Sequence, residues 1–284
     1  MLRSLFAGIS GLRVNQTMLD VTGNNIANAN TVGFKTSNTV FEDTLSQMLT
    51  GGASAGAGRG GTNPVQVGLG VQLAAITSNL GQGSAQLTGR STDLMIQGDG
   101  MFVVRADGEQ LYTRAGTFGF DETGTLVAPS GARVQGFALD ATGNPTGAAR
   151  DIQLSTAGLV PAPPAGTEIT SFSFSSDGTL RAVLSDGSQR DLAQLAIADF
   201  NNANGLERVG ETSFRGSANS GAAEIGVASQ GGRGTLTAGA LEMSNVDLAA
   251  EFTNLILAQR GFQASSRVIT TSDSVLEDLV NIKR

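Results

Sequence analysis

No cysteine, histidine or tryptophan occurs among the chain's 284 residues. Without cysteine there is no disulfide, no thiol nucleophile and no thiolate metal site. Without histidine the chain lacks the side chain best suited to proton transfer near neutral pH, and the commonest metal ligand. Aromatic side chains are sparse, at thirteen Phe and one Tyr. The formal charge of −7 argues against a general nucleic-acid surface, which needs a cationic face. No segment reaches the ~20 apolar residues of a membrane span, so no membrane insertion is expected. Residues 1–12 hold one Arg and a short apolar stretch, but Ser4, Gly8 and Ser10 interrupt it. No cleavage site follows, and a cleaved secretion signal is not expected.

What the chain has in quantity is glycine, at 39 residues, and apolar residues, at 40%. That is enough for one or two cored domains. The two ends share one pattern. Leu2, Leu5, Ile9, Leu12, Gln16, Leu19, Gly23 and Ile26 recur at alternating steps of three and four. Leu248, Phe252, Leu255, Gln259, Phe262, Ser266, Ile269, Asp273, Leu276 and Val280 do the same. Both read as helix seams that lie against other helices. The polar and small members suit a crowded multi-helix wall. Pattern alone leaves a second reading, an ordinary two-helix hairpin within one chain.

A helix is expected over 3–28, with Gly33 as a stop, and a second short amphipathic turn over 36–50 through Phe41, Leu45 and Leu49. Residues 51–64 are Gly/Ala-rich and read as a flexible loop, with Gly51, Gly52, Gly60 and Gly61 as hinge positions. From 65 to 240 the period is mostly two. Val65, Val67, Leu69 and Val71 alternate like one half-buried strand. Leu94–Ile96 and Met101–Val104 flank Gly98-Asp99-Gly100 as a strand–turn–strand. Turn signals recur at Asp107-Gly108, Gly124, Gly143, Asp177-Gly178 and Asp186-Gly187. Pro161, Pro163 and Pro164 interrupt the body. The last helix is expected to open near Ser244-Asn245.

The chemistry-bearing candidates are thin. Gly98-Asp99-Gly100 is too short for a dinucleotide fingerprint. Asp99, Asp107, Asp121 and Asp140 lack the dense oxygen alternation of a calcium loop, and turn formation accounts for them. No pair of acids stands out for hydrolysis. No catalytic, metal or cofactor site is assigned, and an enzyme is not expected.

The stretch Asn24-Asn25-Ile26-Ala27-Asn28-Ala29-Asn30-Thr31-Val32-Gly33-Phe34-Lys35 resembles the signature of the bacterial flagellar rod and hook proteins. Asn24, Asn25, Asn28, Thr31, Gly33, Phe34 and Lys35 carry it. It follows a Leu-Phe-Ala-Gly-Ile-Ser-Gly-Leu helix. Gly239–Leu248 and Ile256–Gln263 resemble that family's C-terminal helix, and Asp93–Ile96 with Tyr112–Gly116 match its centre. The resemblance covers nearly the whole chain. Arg59–Pro64 followed by Gly68–Val71 is most similar to the hook subunits, and the distal rod subunits are the alternative. The interval 145–185 is too short for the extra outer domain of larger hook proteins.

The resemblance implies an α+β fold. Residues 1–35 and 241–284 would form a coiled-coil-like axial helical domain, the inner wall of a tube. Residues 36–75 and 216–240 would connect it to an antiparallel, Gly-rich outer β domain over 76–215. The seam residues Leu2, Leu5, Ile9, Leu12, Leu19, Ile26, Leu248, Phe252, Leu255, Phe262, Ile269 and Leu276 would face neighbouring copies. The implied partners are further copies in a helical homopolymer, the distal rod, the hook cap, the hook–filament junction proteins and the flagellar type III export apparatus. The implied place is the hook–basal body, outside the cell after export.

Overall fold

The computed structural model of the chain describes residues 2–56, 58, 60–140, 143–155 and 168–282. The proline interruption at 161–164 lies outside them. The described residues form an α+β protein in two compact units. One comprises 1–27, 37–79 and 246–284, and the other 28–36 and 80–245. The chain therefore passes between units four times. These boundaries differ from the expected ones. Residues 28–36 and 241–245 group with the β unit, and 37–79 group with the helices as folded strands instead of connecting coil.

In the helical unit, α1 runs Leu2–Ala27 and α2 runs Leu248–Ile282. Helix α2 opens at an aspartate cap. The N–H groups of Ala249 and Ala250 donate to Asp247 Oδ1 at 2.9 and 3.3 Å. The two helices pair within the chain, antiparallel. Ser4 meets Ser272. Gly8 meets Ile269, Gly11 meets Ser265, and Asn15 meets Gly261. Asn25 donates to Glu251 Oε1 at 3.2 Å. On α1 these contacts again step by three and four, but one residue off the leucine seam. Small residues allow the close backbone approach, and the larger apolar positions are turned aside.

Four strands accompany the helices: β1 (Ser37–Asp43), β2 (Ser46–Thr50), β3 (Val65–Gly68) and β4 (Val71–Ser78). Strand β1 pairs antiparallel with β4, with a bulge at Val40/Phe41, and β2 pairs with β3. The expected amphipathic turn over 36–50 is thus two strands. Its β-branched and polar content (Ser37, Thr39, Val40, Thr44, Thr50) suits a ribbon better than a helix. The expected single strand 65–71 is split at Gly70, and Val65 and Val67 are exposed. Residues 51–64 do not form a simple loop. Ala53 and Thr62 exchange both backbone hydrogen bonds at 2.9 Å, which extends the β2–β3 arm.

The β unit is built on an antiparallel sheet in the order Ile169–Phe174, Thr179–Leu184, Gln189–Leu195, Arg133–Leu139, Met101–Ala106, Glu109–Thr113, Ser213–Arg215, Glu207–Gly210. Strand Met101–Ala106 shows why the body alternates with period two. Phe102 and Val104 enter one core with Phe118, Leu126 and Leu195. Met101 and Val103 enter a second core with Tyr112 and Phe200. Edge-on rings knit each core, Phe102–Phe118 at 5.1 Å and Tyr112–Phe200 at 4.7 Å. Leu94–Gln97 pairs with Thr235–Ala238 and not with Met101–Ala106, so Gly98–Gly100 joins two different sheets and not a hairpin. The glycines of all five turn signals have positive φ, between 75° and 85°.

Turn aspartates add a charge dependence. The Thr123 hydroxyl, then the Thr125 N–H, hold the Asp121 carboxyl below its ordinary value. The Ser188 side chain and N–H do the same for Asp186. A carboxylate whose native pKa is depressed stabilises the fold above its unfolded value and loses that contribution as pH falls through the native value. The β unit is therefore expected to hold its melting temperature down to about pH 4 and lose it below. Asp121→Asn should flatten that decline, and a melting curve as steep as the parent's would contradict the assignment. For the helix pair, a Cβ at Gly8 already stands 3.1 Å from Ile269 Cγ1. Gly8→Leu should destabilise the helical unit by ~1–3 kcal/mol through overpacking. The far-UV melt of the helices would fall, with the β unit's transition unmoved.

Candidate functional site

Two features of this chain are built to do something, one buried and one exposed. The buried one lies in the β unit, on the family signature. Lys35 and Glu242 are fully buried and paired, Nζ to Oε1 at 2.6 Å. Lys35 Nζ also donates to Gly81 O at 2.8 Å, and the Gly83 N–H donates to the same Glu242 oxygen at 2.8 Å. Arg114 Nη1 stands 3.5 Å from Glu242 Oε2. That oxygen has no hydrogen-bond partner among the described residues. Arg114 spends its donors on the carbonyls of Ile96 and Gly98, at 3.3 and 2.6 Å. Burial pushes both cations below their ordinary pKa, while Glu242 pulls each back up.

Around this triad the backbone of 33–36 is clasped. The Gly33 N–H donates to Glu242 O at 2.8 Å, and the Thr36 N–H to Asn245 Oδ1 at 2.9 Å. Arg208 donates to Lys35 O and lies over the Phe34 ring at 5.2 Å. Gly33 has φ 69°, and a Cβ there would stand 2.5 Å from Ala115 N. Only glycine fits that conformation and that approach. The rest of the signature has local duties. Thr31 Oγ1 donates to Asn28 Oδ1 at 3.1 Å. In the helical unit Asn25 exchanges hydrogen bonds with Ser37, at 2.9 and 3.0 Å. Asn24 lies on the exposed side of α1.

The exposed feature is the helical unit's apolar surface. Of the seam residues, Leu5, Leu12, Leu19 and Ile26 are half-buried and Ile9 is exposed. The side chain of Leu2 lies outside the described residues. On α2, Leu255, Phe262, Ile269 and Leu276 are half-buried, while Leu248 and Phe252 are exposed. Phe6, Ile256, Leu257, Val275 and Leu279 add to the apolar surface, as do Leu45, Met48, Leu49 and Val65 on the arm. Large apolar side chains exposed in this number on one unit point to an interaction surface. The hinge glycines Gly51, Gly52, Gly60 and Gly61 lie on the arm, on either side of the Ala53–Thr62 pair.

Sequence reasoning saw Lys35, Arg114 and Glu242 only as parts of three separate motifs. Nothing in their spacing brings 35, 114 and 242 together. The sole signal was that each is a charge in an otherwise apolar or small-residue context.

Comparison with known proteins is consistent across the chain. Residues 5–35 match the flagella basal body rod protein model. Residues 95–182 match the flagellar hook protein FlgE/F/G D1 domain, and 237–282 the flagellar basal body rod FlgEFG protein C-terminal model. The flagellar basal-body rod protein FlgG of Bacillus subtilis is 46% identical over 285 residues, covering all of both chains. That of Caulobacter vibrioides is 35% identical over 97% of both. The flagellar hook protein FlgE of Borreliella burgdorferi is 30% identical over an alignment of 441 positions that covers both chains. The chain belongs to the flagellar rod and hook protein family, whose members are structural components of the flagellum. Among the described residues no group of three or more Asp or Glu is placed to hold a metal ion. No described helix is long and apolar enough to cross a membrane.

The buried triad is tested by removing its centre. Glu242→Ala leaves two cations buried without a counter-charge and should cost ~3–5 kcal/mol. Glu242→Gln keeps the shape and one acceptor, and should cost less. Glu109→Ala removes the partner of Arg215 at an exposed pair and should cost ~0–1 kcal/mol. Chemical denaturation that ranks the three otherwise would show that the triad does not hold the segment.

Proposed function

We propose that the chain is a subunit of the distal rod of the flagellar basal body, the stiff drive shaft, polymerised from copies of itself. The observation that carries this is length. The alignment to the Bacillus rod protein takes 285 positions for this 284-residue chain. The alignment to the Borreliella hook protein takes 441, so 441 − 284 = 157 positions have no counterpart here. The arm supports the same reading. A segment composed like a hinge is drawn into a two-stranded ribbon, which replaces backbone freedom with hydrogen bonds.

The apolar seam of α1 and α2 is the surface that neighbouring copies bury. Apart from Ile269, which meets Gly8 within the chain, its residues lie beside the intramolecular contact, and their burial stabilises the polymer by the hydrophobic effect, at roughly 25 cal/mol per Å². A repeated heterologous contact that does not close generates a helical tube. The subunit reaches its place through the flagellar export apparatus. The hook is the second reading, favoured by the full-length similarity to hook proteins, and contacts with the hook cap and the hook–filament junction proteins belong to it.

Electron microscopy of the polymerised protein decides between them. Straight, stiff tubes are expected, and assembly should be lost when residues 1–30 are deleted. Tubes that curve would assign the chain to the hook.

A further inference from the structure

Among the described residues, the register of the helix pair leaves part of α2 with no α1 residue opposite it. Ser4 opposite Ser272 and Gly8 opposite Ile269 place Leu2 opposite Ser274. The last two turns, Val275–Ile282, therefore run past the start of α1 by about 12 Å, at 1.5 Å per residue. Val275, Leu279 and Ile282 are 48%, 51% and 83% exposed. Their spacing is i, i+4, i+7, which lines them on one helix face and is the anchor spacing of a helix that lies in an apolar groove. Asp278 flanks this face, three residues after Val275 and four before Ile282. Glu277 is on the far side.

The same unit carries a groove. Phe6, Ile9, Arg13 and Val14 of α1 line it with Leu69 and Leu73, around a cavity of about 440 Å³. It lies on the side of α1 turned away from α2. Its walls are mostly apolar, interrupted by Ser10, Thr17 and Gln72, and its one charged side chain is Arg13, which takes part in no ion pair among the described residues. A mostly apolar trough with one cation matches an apolar helix face flanked by one carboxylate.

We propose that the overhang Val275–Ile282 of one copy seats in the α1–β4 groove of a neighbouring copy, with Asp278 beside Arg13. This rests on the reading of the chain as a self-polymerising subunit, whether rod or hook. It adds which surface meets which. Within one chain the overhang lies about 18 Å along the helix axis from the position opposite Ile9, so the contact is between copies.

The chain's lack of cysteine makes the test clean. The full-length variants Ile9→Cys and Leu279→Cys are mixed, polymerised and oxidised. A disulfide-linked dimer is expected, formed in the polymer and absent from the dilute mixture, because a disulfide needs Cα atoms within ~7 Å. Ile9→Cys mixed with Glu277→Cys should link poorly. Separately, Arg13→Glu should raise the concentration needed for assembly by about tenfold, the loss of ~1.4 kcal/mol per contact. Asp278→Arg in the same chain should restore it, and Glu277→Arg should not. Arg13 and Asp278 are exposed, and circular dichroism matching the parent confirms that the variants fold. If polymers form with equal linkage at 277 and 279, or without rescue, the groove seats something else and the proposal fails while the polymer reading stands. If the parent chain forms no polymer at any concentration, both fail.

Discussion

The fold of the β unit depends on one buried carboxylate. Glu242 gathers Lys35, Arg114 and the Gly83 N–H from three distant parts of the sequence into one buried site. The charges are costly to bury, so the arrangement is stable only while all are present. That all-or-none character suits a place where the chain crosses between units. Thr36 is tied to Asn245 beside the triad, and Asn25 is tied to Ser37 and Glu251 in the helical unit. Thr36 and Asn245 are thus held within the β unit, and Ser37 within the helical unit, by polar contacts of defined geometry. Apolar packing would fix them less uniquely, since it is non-directional.

The helical unit follows a different logic. Its intramolecular contact uses Ser4, Gly8, Gly11 and Asn15 against Ser272, Ile269, Ser265 and Gly261. These residues bury little apolar area, so the pair gains close approach and register more than hydrophobic free energy. The leucines one position further round remain available.

How much of this was legible in the sequence depends on the range of the contact. Local grammar was readable. The 3.6-residue period marked both helices to within a few residues, and each Asp-Gly or Thr-Gly turn formed where the signal stood. The family resemblance located Gly33 and Lys35 as special without saying why. Pairing between distant segments was not readable. Leu94–Gln97 has an attractive neighbour across Gly98–Gly100 but pairs with Thr235–Ala238, because Gly98 and Gly100, at φ 108° and 120°, turn the chain away from a hairpin. The 36–50 segment has apolar residues at helical spacing and is nevertheless strand, since its ribbon partners lie 15 or more residues on. Within the chain, the helices meet one residue off the leucine stripe. The period is the same for both stripes, and only the partner's small side chains decide which one faces inward.

The β2–β3 arm carries its own hazard. Among the described residues it is a two-stranded ribbon with no third strand beside it, and Met48, Leu49 and Val65 are exposed along it. Both outer edges present unpaired backbone groups, as an open edge does in any sheet. Such a ribbon in a concentrated pool of free subunits is a template for indiscriminate strand addition and precipitation. The ribbon's exposure therefore favours dilute over concentrated conditions for the folded chain, since strand addition between copies rises with concentration.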